Sequence, residues 1–591
     1  MNQMRKKRRL FRFLSLIAVC LCLSSCGKRP DSLPSSDFEK EQRTFDAYTN
    51  ELFVQELQEN TINLRYTLSN PESFGIHSHK ISLGNLSEES SNNSLAAVEN
   101  ISASLSNFNY NALTTKQQLT YDVLKDNCKR QKAAASFYFY NEPLRPTTGT
   151  QSELPILLAE YAFHDACDVT DYLALLTCIE DYFAQIAAFE QIKAEKGLFM
   201  SPYAAQEIIE ACQIFTENPS ENYLIDTFQT RIDSLTDIPE EKKEFYKRQN
   251  QSLIENSVVP AYEKLIQTLI ELKDRGTNEN GLCYLPEGKE YYEHLVRANT
   301  GSPKTVKELQ QAVERKRNLD MDALHKLLAE NPDLIKADDS KIVATEPEAI
   351  LNHLLTAMEK DFYPAADSSY ELNYIHKSLE DTLAPAFYLT APIDDISHNV
   401  IYLNQKSQYQ GIQLFTTLAH EGFPGHLYQT TGSYQAKLSP IRALLNYSGY
   451  VEGWATYVEM LSYQYAGLDE NTAQMLMLNQ SALLSLYASV DMGIHYDGWN
   501  FADTTIFLNS FGIKDTEVIR SIFELIVEEP SHYLKYYIGY LEFLELKNYA
   551  KTEFGSDYSN RNFHQAIIQI GPAPFEIIKE YLKDFYASSN P

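Results

Sequence analysis

"TLAHEGFPGHLYQ", residues 417–429, holds two histidines and a glutamate in the order that a metal site needs, at a spacing that a regular helix refuses. In the pattern H-E-x-x-H, two histidines four residues apart share one helix face and one ion. Here Gly422, Phe423, Pro424 and Gly425 separate His420 and Glu421 from His426. Residues six apart lie about 240° apart round a helix axis, so the two histidines cannot meet on an unbroken helix. Pro424 lacks the N–H that would bond back to the His420 carbonyl, and its ring collides there. Gly425 adds backbone freedom. Two geometries are open: a bulge that returns His426 to His420, or a helix ending at Phe423 with His426 in a turn.

Downstream, "YSGYVEGWATYVEML" (447–461) reads as a helix carrying Glu452, 26 residues after His426. In this the chain is similar to gluzincin-type zinc peptidases, which complete a two-histidine site with a glutamate from a separate helix. Two imidazoles and one carboxylate leave a fourth position on Zn2+ for water. Glu421 is placed to accept that water's proton and pass it to a leaving amine. Glu459, two turns past Glu452 on the same face, is either a partner that supports a ligand or a solvated charge, the latter being the expectation. Trp454 and Tyr457 are expected to pack.

The N-terminus sets the compartment. Six basic residues (Arg5, Lys6, Lys7, Arg8, Arg9, Arg12) precede an apolar run, Phe13 to Leu23. That run is too short for a bilayer-spanning helix and reads as the core of a signal peptide, residues 1–25. "LSSC" (23–26) looks like a lipobox, which implies lipidation of Cys26 and anchoring to a membrane with the folded body outside the cytoplasm. Residues 26–39 form the lipidated cysteine and a flexible tether. Loss of the six positive charges takes the formal net charge from −29 to −35, which repels phosphate backbones and argues against a nucleic-acid partner. The five remaining cysteines (Cys128, Cys167, Cys178, Cys212, Cys283) are odd in number and lack CxxC spacing, so they read as buried thiols.

Residues 40–591 read as one mainly α, two-lobed body with a small β element beside the cleft. The N-terminal lobe is about 40–280 and the metal-site lobe about 281–591. Helical periodicity is clear at 167–193, 204–216, 241–273, 306–334, 345–362, 471–493 and 515–529. Thr345 and Glu348 have capping-box spacing. "GNLSEESSNNS" (84–94) reads as a mobile loop. "NVIYLNQ" (399–405) is the clearest strand; it is either an edge strand that pairs with substrate backbone through Asn399 and Tyr402 or part of a short hairpin with no substrate contact.

"HEGFPGH", "VEGWATYVE", "MGIHYDGW" (492–499), "YYIGYLEFLELKNYAKTEFG" (536–555) and "FHQAIIQIGPAP" (563–574) occur in the order of domain-of-unknown-function family 885. Upstream, "YTLSNPESFGIH" (66–77), "LPEGKEYYEHLVRANTGSPKTVKEL" (285–309) and "APAFYLTAPIDDISHNVIYLN" (384–404) also resemble it. Members look like mostly helical gluzincin-type metallopeptidases. The resemblance implies His420, His426 and Glu452 as zinc ligands and Glu421 as general base. His495 and Tyr536 are candidate donors to a developing oxyanion, with a satisfied structural histidine as the other reading of His495. His564 is either a support for the site or a packing residue. Lys547 stands where the family commonly has arginine. A lysine there keeps the charge for a substrate carboxylate but lacks the bidentate fork.

Three functions compete: a zinc peptidase acting on peptides, a non-catalytic peptide-binding lipoprotein, and a zinc hydrolase of another amide such as a cell-wall or gamma-glutamyl linkage. The intact set Glu421, His420, His426 and Glu452 favours an enzyme. Oligomeric state is not legible in the sequence.

Overall fold

The computed structural model describes residues 35–336, 341–365, 369–377, 380 and 383–588. The signal segment, Cys26 and most of the tether lie outside the described residues. A helix, Ser35–Leu57, already covers the last residues assigned to the tether.

Helices account for most of the described chain. Those expected at 167–193, 204–216, 471–493 and 515–529 are Ala166–Lys196, Pro202–Thr216, Glu470–Met492 and Thr516–Glu528. The stretch 241–273 is two helices, Glu240–Leu253 and Val259–Leu272, joined by a π-type turn. Two local expectations fail. The helix near 345 begins at Pro347, with no side-chain cap, because the fixed φ and missing N–H of proline suit the first helical position. Within the supposed loop 84–94, Ser87 instead starts a helix, Glu88–Leu105, by accepting the N–H of Ser90. Among the five cysteines of the described residues, all free, Cys128 and Cys212 are buried while Cys167 is exposed.

Apolar burial gathers into two large cores. One runs from Ile62 to Leu272, mostly beyond Leu144. The other joins residues 45–124 to residues 292–586. Residues 144–272 thus bury mainly with one another, whereas the N-terminal helices bury with the chain beyond residue 292. Phe45, Phe53 and Leu57 belong to the same core as Trp454 and Leu541, because an amphipathic stripe buries wherever apolar surface is offered, near in sequence or not. Polar contacts join the two bodies: the Tyr402 hydroxyl donates to the Glu160 carboxylate, and Arg145 pairs with Glu529 at 3.0 Å.

The β element has three strands: β1 (Tyr370–Tyr374), β2 (Ala386–Leu389) and β3 (Asn399–Leu403). Their order is β1-β3-β2, with β3 parallel to β1 and antiparallel to β2. The strand read at 399–405 is thus real but central. Both its edges are paired, so it is not an edge for substrate backbone.

Two helices bring the centre of the metal-site body together: Ser448–Ser462 and Leu534–Phe554. They cross backbone to backbone. A Cβ on Gly453 would come within 2.5 Å of the Gly539 backbone, and one on Gly539 within 2.3 Å of the Gly449 carbonyl oxygen. Only glycine permits that approach. Gly453→Ala is expected to destabilise the fold by about 1–3 kcal/mol through overpacking, seen as a lower midpoint of thermal unfolding. An unchanged midpoint would contradict the contact.

Candidate metal centre

The helix Ile412–Glu421 stops at Glu421 and a second helix, His426–Gln435, begins at His426. The connection Gly422–Gly425 therefore breaks the helix outright rather than bulging it. It folds back tightly: a Cβ on Gly425 would lie 1.7 Å from the His420 carbonyl oxygen. The Trp454 indole N–H donates to the Pro424 carbonyl at 2.9 Å, tying the connection to the next helix. His426 consequently faces His420, with ring centroids 4.8 Å apart and planes at 84°.

Glu452 completes the group. Its Oε2 is 3.6 Å from His420 Nε2 and 3.4 Å from His426 Nε2. These gaps exceed good hydrogen bonds, which lie at about 2.7–3.2 Å. They match the separation of about 3.3–3.5 Å between two ligands bound at about 2.0–2.1 Å round a tetrahedral ion. Glu421 is also close: one donor atom each from His420, Glu421 and His426 lie within 4.8 Å of one another. Its Oε2, however, accepts the N–H of Tyr388 on β2 at 2.9 Å. Of the two carboxylates, Glu452 is therefore the one centred between the imidazoles.

Glu459 departs from expectation. Its Oε2 is 3.1 Å from His420 Nδ1, so it fixes the ring with Nε2 turned inward rather than standing in solvent. This is the usual support for a ligating imidazole. The seven-residue spacing from Glu452 carried that information, because it sets both carboxylates on one helix face. Lys535, which the sequence did not single out, lies 3.5 Å from the other Glu452 oxygen. The burial that opposes charge on His420 is outweighed by Glu452, Glu459 and Glu421, which hold its pKa well above the usual imidazole value. Burial likewise opposes charge on Glu452, and His420, His426 and Lys535 overcome it, holding its carboxyl well below the usual range. With neutral imidazoles, three carboxylates and one ammonium leave two negative charges, the deficit that one divalent cation fills. The residues fit Zn2+ by donor type, spacing and charge.

Tyr536 stands beside this group, its ring centroid 6.3 Å from that of His420. Burial, then the charges of Glu452 and Glu421, push its pKa well up, so the phenol keeps its proton. His495 does not join them. It is fully buried at the end of the helix Glu470–Met492, its Nδ1 accepting the Leu282 N–H at 3.1 Å and its Nε2 donating to the Ile526 carbonyl at 2.7 Å. With both nitrogens held by backbone, it has no donor to offer an oxyanion.

The other predicted binding residues are also committed elsewhere. The Asn399 amide donates to the carbonyls of Ser369 and Ile396, and its oxygen accepts from the Tyr388 hydroxyl. The Tyr402 hydroxyl is spent on Glu160. Lys547 donates to the Tyr457 hydroxyl at 2.7 Å, which in turn bonds His564 Nε2 at 2.8 Å. His564 is a fully buried packing residue, bonded also to the Asp361 carbonyl. Burial lowers the Lys547 pKa to about 8. Eleven residues separate Lys547 from Tyr536, about 16 Å along the helix, so it is far from the cluster along that element.

A sequence family described as "Bacterial protein of unknown function (DUF885)" matches residues 71–582. The chain belongs to DUF885. Two solved structures share this DUF885 fold. One, a "putative lipoprotein" from Colwellia psychrerythraea, has 16% identity and a TM-score of 0.80 over 93% of this chain and 99% of its own. The other, described as a "putative lipoprotein of unknown function" from Shewanella oneidensis, has 15% identity and a TM-score of 0.64 over 91% and 99%. No curated protein sequence matches this DUF885 chain.

Glu459→Gln is expected to weaken zinc binding by about 10–100-fold, the usual effect of losing the group that orients a ligand. Titration with a competing zinc chelator measures this, with circular dichroism checking the fold. Undiminished affinity would remove Glu459 from the support of His420.

Proposed function

We propose that this protein is a zinc-dependent metallopeptidase, with His420, His426 and Glu452 as ligands and Glu421 as general base. The observation that carries the reading is the placement of one Glu452 oxygen 3.4 and 3.6 Å from the two imidazole nitrogens, beside Glu421. Bound there, zinc would supply Lewis-acid polarisation of a carbonyl and a lowered pKa for water.

The chain's own residues divide the remaining work. Glu421 gives Oε2 to the Tyr388 N–H, which fixes the carboxylate and leaves Oε1 to take a proton and return it to the leaving amine. Tyr536 offers its hydroxyl to the oxyanion, a role for which His495 lacks a free donor. Lys535 holds the outer oxygen of Glu452. β2, not β3, is the strand beside Glu421, so an extended substrate would lie along β2, with main-chain hydrogen bonds aligning it. The lipobox sequence supports export and a lipid anchor at Cys26, and the description of both similar structures as putative lipoproteins agrees with that placement.

The mature chain is expected to hold about one zinc and to cleave members of a mixed peptide library. Glu421→Gln should retain zinc while losing at least about 100-fold in rate. Elemental analysis and mass spectrometry of the products read the two outcomes. Zinc without cleavage of any peptide would redirect the search to other amides. A chain without zinc after incubation with the metal would remove the mechanism.

A further inference from the structure

Beyond His426 the same helix runs along a cavity of about 470 Å³. Gln429 and Thr430, which line it, follow His426 by one turn on the same face, about 5 Å along the axis, and Ser433 follows by two turns. Thr390, two residues past the Tyr388 that bonds Glu421, also lines it, as does Val451 beside Glu452. Part of the cavity wall is thus contributed by the elements that carry the metal centre.

Its charge is opposite to that of the protein. Lys437 and Arg442 are the charged side chains among the lining residues, and no carboxylate is among them. The whole chain has 80 acidic against 51 basic residues, so a wall with two cations and no acid is a local reversal. Arg442 is 3% exposed. Its Nη2 donates to the carbonyls of Ile570 at 3.1 Å and Pro572 at 2.6 Å. Its Nε and Nη1 have no hydrogen-bond partner among the described residues, leaving three N–H groups without an acceptor. Burial lowers its pKa to about 10, and phenols rather than carboxylates are the groups that oppose this. The guanidinium is charged at neutral pH. A buried cation in this state is costly unless an anion meets it.

We propose that this cavity is a carboxylate subsite of the substrate channel, with Arg442 as the residue that selects a peptide carrying a negative charge near the cut. The proposal rests on the metallopeptidase reading for the position of the cut. Extended peptide advances about 3.3–3.6 Å per residue. Thr430 and Ser433, about 5–10 Å beyond His426 along this wall, would therefore face the first or second residue from the scissile bond, and Arg442 lines the same cavity. The carboxylate is either the peptide's C-terminus or an Asp or Glu side chain, and Arg442 serves both with the same charge-assisted hydrogen bonds.

The test uses four acetylated tetrapeptides, Ala-Ala-Phe-Glu and Ala-Ala-Phe-Gln, each as C-terminal acid and amide. Their kcat/KM is measured with the zinc-loaded mature chain, and their affinity with the Glu421→Gln variant by competition against a fluorescent peptide. At least a tenfold preference for charged over uncharged peptides is expected. Loss of the preference on amidation assigns the α-carboxylate, and loss on changing Glu to Gln assigns the side chain. Arg442→Gln should reduce the preference below twofold. Because Arg442 also holds two carbonyls, Thr430→Glu is measured beside it. That variant places a carboxylate in the cavity without removing those bonds, and should abolish the preference even if Arg442→Gln does not fold. Parent protein that binds or cleaves charged and uncharged peptides within twofold of each other overturns the proposal. So does a preference that survives in a folded Arg442→Gln or in Thr430→Glu. Selective binding without cleavage of any peptide would sink the peptidase reading and leave the carboxylate site standing.

Discussion

The close crossing of Gly453 over Gly539 is the constraint on which the centre of this molecule depends. It lets the helix Ser448–Ser462 lie against Leu534–Phe554 with backbones in contact, and the first of these helices does several jobs at once. Glu452 reaches both imidazoles, Trp454 holds the Pro424 carbonyl, and Glu459 braces His420. Across the crossing, Lys535 and Tyr536 arrive beside the same group. Any side chain at the crossing would separate the helices by about a methyl group's width, more than ligand geometry tolerates.

Electrostatics explains why this arrangement suits a dication. Three carboxylates converge on two imidazoles in a largely buried setting, and the lone ammonium of Lys535 offsets only one of them. Without a metal the group leans on protonated histidine, as the upward shift at His420 indicates. The proposed ion would take the place of those protons. The neighbouring cavity has the reverse balance, with Lys437 and Arg442 and no carboxylate among its lining residues.

Much of the architecture was legible because amphipathic period and capping chemistry are local. The long helices fall within a few residues of their sequence-based positions, and Thr305 does form the Thr-x-x-Glu box that Thr345 does not. The failures have local causes too: Pro347 claimed the first helical position, and Ser87 supplied a cap in a stretch that looked too polar to fold. Core membership was not legible. Nothing in residues 45–57 reveals that they bury against segments some four hundred residues later.

For the candidate site, the sequence by itself marked the candidate donors. His420, Glu421, His426 and Glu452 are chemically marked, and Pro424 and Gly425 announce that no straight helix links the histidines. Tertiary structure alone decided that a complete helix break still brings the rings together, that Glu459 is a brace, that His495 and Lys547 are committed elsewhere, and that β2 rather than β3 borders Glu421. The physical reason is one of range. Residue chemistry and helix period act over a few positions, whereas the partner of a ring nitrogen or a strand edge is chosen by packing between segments that the chain brings together only when folded.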